Sequence, residues 1–222
     1  MASPRAVVMT WFASQLGHPH GVGGALVANM LNRSNARQIE RAVDAVSLSA
    51  GDVAADVGFG GGLGLRLMLK RVGPSGTVHG IDVSADMVGR AARRFRAAVA
   101  RGQLVLNEGS LMKLPLEDAT VDGAITVNTV YFVAELTSAF EEFARVLKPS
   151  GRVVVGIGDP DGMARMPMTR YGFRLRRVDE IIESARTSGL ELRNHIRIGK
   201  GMRAGHLLAF YRDSQIIDRR DS

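Results

Sequence analysis

Cysteine is absent from the 222 residues. Disulfides, thiolate metal ligands and a cysteine nucleophile are thereby excluded. Lysine is scarce: only Lys70, Lys113, Lys148 and Lys200 stand among 29 basic residues, and the rest are Arg. The net charge of +7 and the pI of about 10.5 would otherwise suggest a polyanionic partner. So strong an Arg skew, beside abundant Ala, Gly and Val, fits a GC-rich genome better. Arg90, Arg93, Arg94 and Arg96 follow helical spacing and read as a solvated helix face. Aromatic residues are few, with one Trp and three Tyr, and no stacking platform or recognised RNA module can be traced. No apolar run approaches the length of a membrane span, and the first ten residues lack a cationic start and cleavage pattern. The expectation is a cytoplasmic protein with no membrane partner and no nucleic-acid partner.

What the chain does have is Val53-Ala-Ala-Asp-Val-Gly-Phe-Gly-Gly-Gly-Leu-Gly64. An apolar run of strand type stops at Gly58, a glycine-dense turn follows, and Leu63 to Val72 has helical spacing. This is the first βα unit of an open α/β sheet, where ligands lie outside the carboxyl ends of the strands. A dinucleotide fingerprint would place its third glycine at position 63, where Leu63 stands. A phosphate cradle would need a Lys after the glycines, and none follows. Asp56, two places before Gly58, instead puts an acid at the strand's end, suited to a cationic ligand. A second strand, Thr77 to Ile81, ends in Asp82, about 20 residues on, where an acid meets ribose hydroxyls.

Asp56-x-Gly58-x-Gly60 resembles the first motif of the class I S-adenosylmethionine-dependent methyltransferases. Further matches stand in order: Asp82, the stretch Glu108-Gly-Ser-Leu-Met-Lys-Leu-Pro115, and Phe143-Ala-Arg-Val-Leu-Lys-Pro-Ser-Gly151. The resemblance covers about residues 50–212. It implies a doubly wound, Rossmann-like α/β fold with a seven-stranded sheet containing one antiparallel strand, and S-adenosylmethionine as cofactor. It further implies that Asp56, Gly58, Phe59 and Gly60 hold the methionine part of the cofactor. Asp82 and Val83 would meet the ribose, Met87 would pack on adenine, and Ser110, Leu111 and Asn128 would complete the pocket. Ser110 departs from the family's usual Asp. Asn128-Thr-Val-Tyr131 lacks the prolines that base-methylating enzymes carry there.

Around that domain, residues 1–49 read as a helical N-terminal cap and 213–222 as a polar tail. The cap holds Gln15, His18 and His20 in a loop-like run with Pro19 and several glycines, then an amphipathic helix over 36–48. The run Gln15-Leu-x-x-Pro-x-Gly-x-x-Gly24 is similar to one that precedes the first motif in related chains. Further strands are expected at Gln103–Leu106, Val121–Asn128, Arg152–Ile157, Leu190–Ile198 and His206–Tyr211. Helices are expected at 140–147 and 178–187, and Lys148-Pro-Ser-Gly151 reads as a turn. Met163 to Phe173 is an aperiodic insert on the acceptor side.

A sulfonium donor is already activated, so the protein must mainly align the reactants and exclude water. A hydroxyl acceptor also needs a base, worth about 10²–10⁴-fold. Among the candidates His18, His20, Tyr131, Asp159 and Asp161, the loop histidine His20 is favoured, with His18 beside it. Tyr131 would orient substrate. His79, His195 and His206 lie within strands and read as satisfied structural histidines. No metal site is expected, since Asp159 and Asp161 lack the Asp-Asn pair of metal-dependent O-methyltransferases. The leading expectation is O-methylation of a small hydroxylated substrate such as a sugar or oligosaccharide, because the acceptor side offers polar groups. One alternative is carbon methylation of a quinone or lipid-like precursor, lined by Met163, Met166, Met168 and Phe173. Another is an RNA-binding methyltransferase using Arg165, Arg170, Arg174, Arg176 and Arg177. The oligomeric state is left open, a homodimer included.

Overall fold

The structure is a computed structural model, and it describes residues 35–201 and 204–212. Of the expected cap, only residues 35–49 fall within this range. Their helix, α1, spans 35–45. The strands are β1 (Val53–Val57), β2 (Thr77–Asp82), β3 (Leu104–Glu108), β4 (Val121–Val127), β5 (Leu147–Gly158), β6 (Leu190–Ile198) and β7 (Gly205–Arg212). They form one seven-stranded sheet in the order β3-β2-β1-β4-β5-β7-β6. Every pair up to β5 is parallel, and β7 runs antiparallel to both β5 and β6. The order reverses between β1 and β4, and this switch point opens a crevice at the carboxyl ends of the strands.

The remaining helices are α2 (Leu63–Val72), α3 (Ala85–Arg94), α4 (Arg96–Ala100), α5 (Leu136–Val146), α6 (Pro160–Ala164) and α7 (Val178–Thr187). Alternate strand residues feed two apolar layers, as period-two side chains must. Ala54, Leu207 and Ala209 pack with Val43 and Val46, with Leu65, Met68 and Val72 of α2, and with Ala91 of α3. Ala55, Leu208 and Phe210 pack with Phe140 and Phe143 of α5 and Ile181 of α7. The sheet is therefore buried on both faces, which explains the near-continuous apolar reading of β4 and β5.

Two boundaries differ instructively from the sequence expectation. The insert after β5 is not aperiodic: Asp159 caps α6 through the Gly162 N–H (3.0 Å), and a 3-10 turn follows at Pro167–Arg170. The expected turn at Lys148–Gly151 lies within the span of β5. There the pairing jumps from Val121↔Leu147 to Gly123↔Arg152, so the four residues bulge out without ending the strand. At the amino edge Asp122 ties three strands together, accepting from the Val53 N–H (2.8 Å) and pairing with Lys148 (2.7 Å). No helix among the described residues is long and apolar enough to cross a membrane.

Candidate cofactor and acceptor site

Gly58 opens the loop after β1 at φ 75°, where a Cβ would fall 2.6 Å from the Thr129 side chain. Only glycine meets both conditions. Gly60 also has positive φ, but nothing stands within 4 Å of where its Cβ would be. The loop therefore leaves space beside its backbone for a ligand. Asp82 organises it: Oδ2 accepts from the Gly60 N–H (2.9 Å) and Oδ1 from the Ser84 N–H (3.0 Å). From α3, Arg94 donates to the Gly61 carbonyl (3.0 Å), so one member of the expected solvated face holds the glycine loop.

Asp56 is turned under α2. It is 5 % exposed, accepts from the Leu65 N–H, and its ionisation is pushed up to about 7, first by burial and then by the Asp82 charge. A Cβ on Gly64 would collide with its Oδ2, so close packing by glycine is what admits the carboxylate. The pair Asp56 and Asp82 makes this crevice a place where a cation is strongly favoured over an anion. Phe59, Met87 and Leu111 put their side chains into the core. Val83 and Ser110 are half-buried, and Ser110 bridges to Lys113.

At the ends of β4 and β5 lies a second polar group, in which Asn128 and Tyr131 of the sequence reading are joined by Gln38. Asn128 sits at φ 59°, an uncommon conformation in which Asn is tolerated better than most residues. Its Nδ2 donates to Gln38 Oε1 (3.1 Å), and its Oδ1 accepts from the Tyr131 hydroxyl (3.4 Å). Gln38 donates onward to the Ile157 carbonyl (2.8 Å), tying α1 to the tip of β5. Tyr131 also accepts from the Gly158 N–H (2.5 Å). Burial pushes its phenol far above the ordinary range, which favours the protonated form. Gln38 escaped the sequence reading because nothing in an amphipathic helix announces which polar residue turns inward at its end.

Phe173 lies tilted against Tyr131 at 5.7 Å and against Phe132 at 4.9 Å between ring centres, and Phe132, Met163, Phe173 and Leu175 are partly buried against the same core layer as Tyr131. Asp159 is committed elsewhere: besides capping α6 it takes His206 and Arg197 at 3.3 Å each. Among the described residues no group of His, Asp and Glu is disposed to hold a metal ion. His18 and His20 lie outside the described residues. His79 was expected to be a satisfied strand histidine, yet its Nδ1 is buried with no partner among the described residues, and burial lowers its basicity.

A cation-favouring crevice with a ribose-type acid at the switch point of this sheet defines a nucleoside-cofactor domain. Residues 55–155 match the family of methyltransferase domains, and the chain carries a class I S-adenosylmethionine-dependent methyltransferase domain, whose cofactor is S-adenosylmethionine. It is 40 % identical over 121 residues to an uncharacterised transposon protein of Streptomyces fradiae, covering 54 % of this chain and 34 % of that one. It is 36 % identical over 104 residues to a demethylmenaquinone methyltransferase of Symbiobacterium thermophilum, covering 47 % and 41 %. A SAM-dependent methyltransferase of Aquifex aeolicus shares the fold with a TM-score of 0.71 at 21 % identity, over 85 % of this chain and 98 % of that one. The chain thus spans well under two thirds of the length of these curated relatives.

Proposed function

We propose that the protein methylates a nucleophilic carbon of an apolar, quinone- or prenyl-like small molecule. The observation that carries this is the aromatic and thioether wall of Phe132, Met163 and Phe173 beside the end of β4. The polar groups there, Gln38, Asn128 and Tyr131, satisfy one another. They offer no carboxylate to a sugar. The demethylmenaquinone enzyme among the relatives favours the same class. The saccharide hydroxyl expected from the polar residues of the acceptor side has no support in the named relatives.

When bound, S-adenosylmethionine supplies a methyl carbon already activated by its sulfonium. The chain's own part is binding, alignment and exclusion of water. Asp82 holds the loop at the end of β2, where an acid meets ribose hydroxyls in sheets of this kind. Asp56 acts from beneath α2 by charge, favouring the cationic end. Gly58 and Gly60 let the backbone come close, while Phe59, Met87 and Leu111 brace the pocket from the core. Tyr131, kept neutral, fixes the ends of β4 and β5 against which the acceptor lies.

The test is a screen for S-adenosylhomocysteine release with a demethylated menaquinol, a prenyl diphosphate, a mannose oligosaccharide and RNA. Turnover with a new carbon–methyl bond on either apolar acceptor is expected. Turnover confined to the saccharide or RNA would overturn the reading.

A further inference from the structure

Sequence alternation treats His195 and His206 as unrelated strand residues. The structure joins them. His195 Nε2 lies 2.9 Å from His206 Nδ1, and His206 Nε2 lies 3.3 Å from Asp159 Oδ2. His206 is 8 % exposed, and His195 is an exposed residue of the edge strand β6. A bulge makes the contact. Pairing steps from Leu192↔Phe210 to Asn194↔Ala209, leaving Arg193 as the extra residue, and His195 then faces Leu208. Phe210 and Leu208 belong to the same core layer. In a regular strand His195 would face the opposite side from Leu192. With the bulge it shares that side, and His206 with it. Bulges of this kind re-aim a side chain.

At its inner end the chain of rings meets α6. Asp159 Oδ1 accepts the Gly162 N–H (3.0 Å), and the Asp159 N–H donates to the Ala204 carbonyl (2.9 Å). The Met163 N–H returns to the Asp159 carbonyl (2.8 Å). A Cβ on Gly158 would lie 2.9 Å from Met163 Cγ and Sδ, so α6 rests on the tip of β5 beside Tyr131. We propose that His206 is a positioning residue of the acceptor side: it fixes the Asp159 carboxylate, and through it α6 and Met163, with its second nitrogen held by His195.

Proton placement follows from the geometry. In the neutral pair His206 carries its proton on Nε2, donates to Asp159, and accepts at Nδ1 from His195 Nε2–H. Burial and the neighbouring His206 both hold His195 basicity down. Arg197 from β6 faces the same carboxylate oxygen of Asp159 at 3.3 Å, and Asp161 stands exposed on α6.

The inference rests on reading this end of the sheet as the acceptor side, yet its test needs no acceptor, so the screen above and the following measurement fail independently. Imidazole nitrogen–proton correlation spectra of the full chain should show His206 as the Nε2–H tautomer, with ring signals that move in His195→Ala. In His206→Leu, amide exchange over residues 160–166 should quicken about tenfold, the loss of one hydrogen bond to a charged group. His206→Gln, which keeps a donor, should recover part of it. Binding of S-adenosylhomocysteine should stay within about twofold in all of them, since the cofactor crevice is untouched. If His206→Leu does not fold, Asp159→Asn carries the same expectation. An Nδ1–H tautomer at His206, or unchanged exchange over 160–166 in Asp159→Asn, overturns the proposal.

Discussion

Asp56→Asn should make the cofactor-free protein more stable and the cofactor bind worse. The carboxyl is buried, faces Asp82, and ionises at about 7 instead of the ordinary 3.8. Holding it ionised in the fold thus costs ~4 kcal/mol relative to the unfolded chain. Between about pH 4 and pH 7 the folded state binds more protons than the unfolded one. This group's contribution to stability therefore falls as pH rises through that window and is flat above it. Asn keeps an acceptor for the Leu65 N–H and carries no charge, so the variant lacks this slope. At about pH 8 the variant should exceed the parent by ~2–4 kcal/mol, which is ~5–15 °C in melting temperature for a domain of this size. Near pH 4 the two should converge. Saturating S-adenosylhomocysteine should raise the parent's melting temperature much more than the variant's, because the ligand's ammonium loses its countercharge. The assay is differential scanning calorimetry across pH, with and without the ligand. A melting difference that does not change between pH 4 and pH 8, or a less stable variant at pH 8, refutes the reasoning.

Tyr131→Phe should cost ~1–3 kcal/mol by leaving the Gly158 N–H without its partner, visible as a pH-independent fall in urea midpoint with ligand affinity kept. Gly58→Ala should abolish S-adenosylhomocysteine binding by calorimetry, since the new Cβ meets Thr129 2.6 Å away in a left-handed conformation that also costs ~1–2 kcal/mol. Asn128→Gly should be more stable than Asn128→Ala by about 1 kcal/mol in chemical unfolding, because Asn128 sits at φ 59°. Equal stabilities would mean that the local backbone relaxes.

Much of the architecture was legible because it rests on local patterns. The glycine run after β1, the acid ending β2 and the apolar fourth and fifth strands each report their own element. Seven strands with one antiparallel were implied by the family resemblance that those motifs carry, and the sheet has them. The site was legible only where a motif is contiguous. Asp56 was found at its position but not in its place under α2, which depends on Gly64 letting two backbones close. Gln38 and Arg94 act across 119 and 33 residues of sequence, and no helical period distinguishes them from solvated neighbours. The polar residues after β4 and β5 have a related property: Asn128, Tyr131 and Asp159 bond to one another, to neighbouring side chains or to the backbone, which their composition alone does not announce. His195 and His206 do lie within strands as read, but a one-residue bulge at Arg193 is invisible to an alternation count.

Because β7 runs against its neighbours, the polypeptide leaves the sheet at Arg212, whose guanidinium meets the Leu147 carbonyl at the start of β5. That is the rim opposite the ligands, whereas Gln38 near the front of the described chain bonds to the far tip of β5. A fluorophore or an affinity handle carried at the Arg212 side-chain position would therefore report from the back of the sheet, and one at Gln38 from its opposite end.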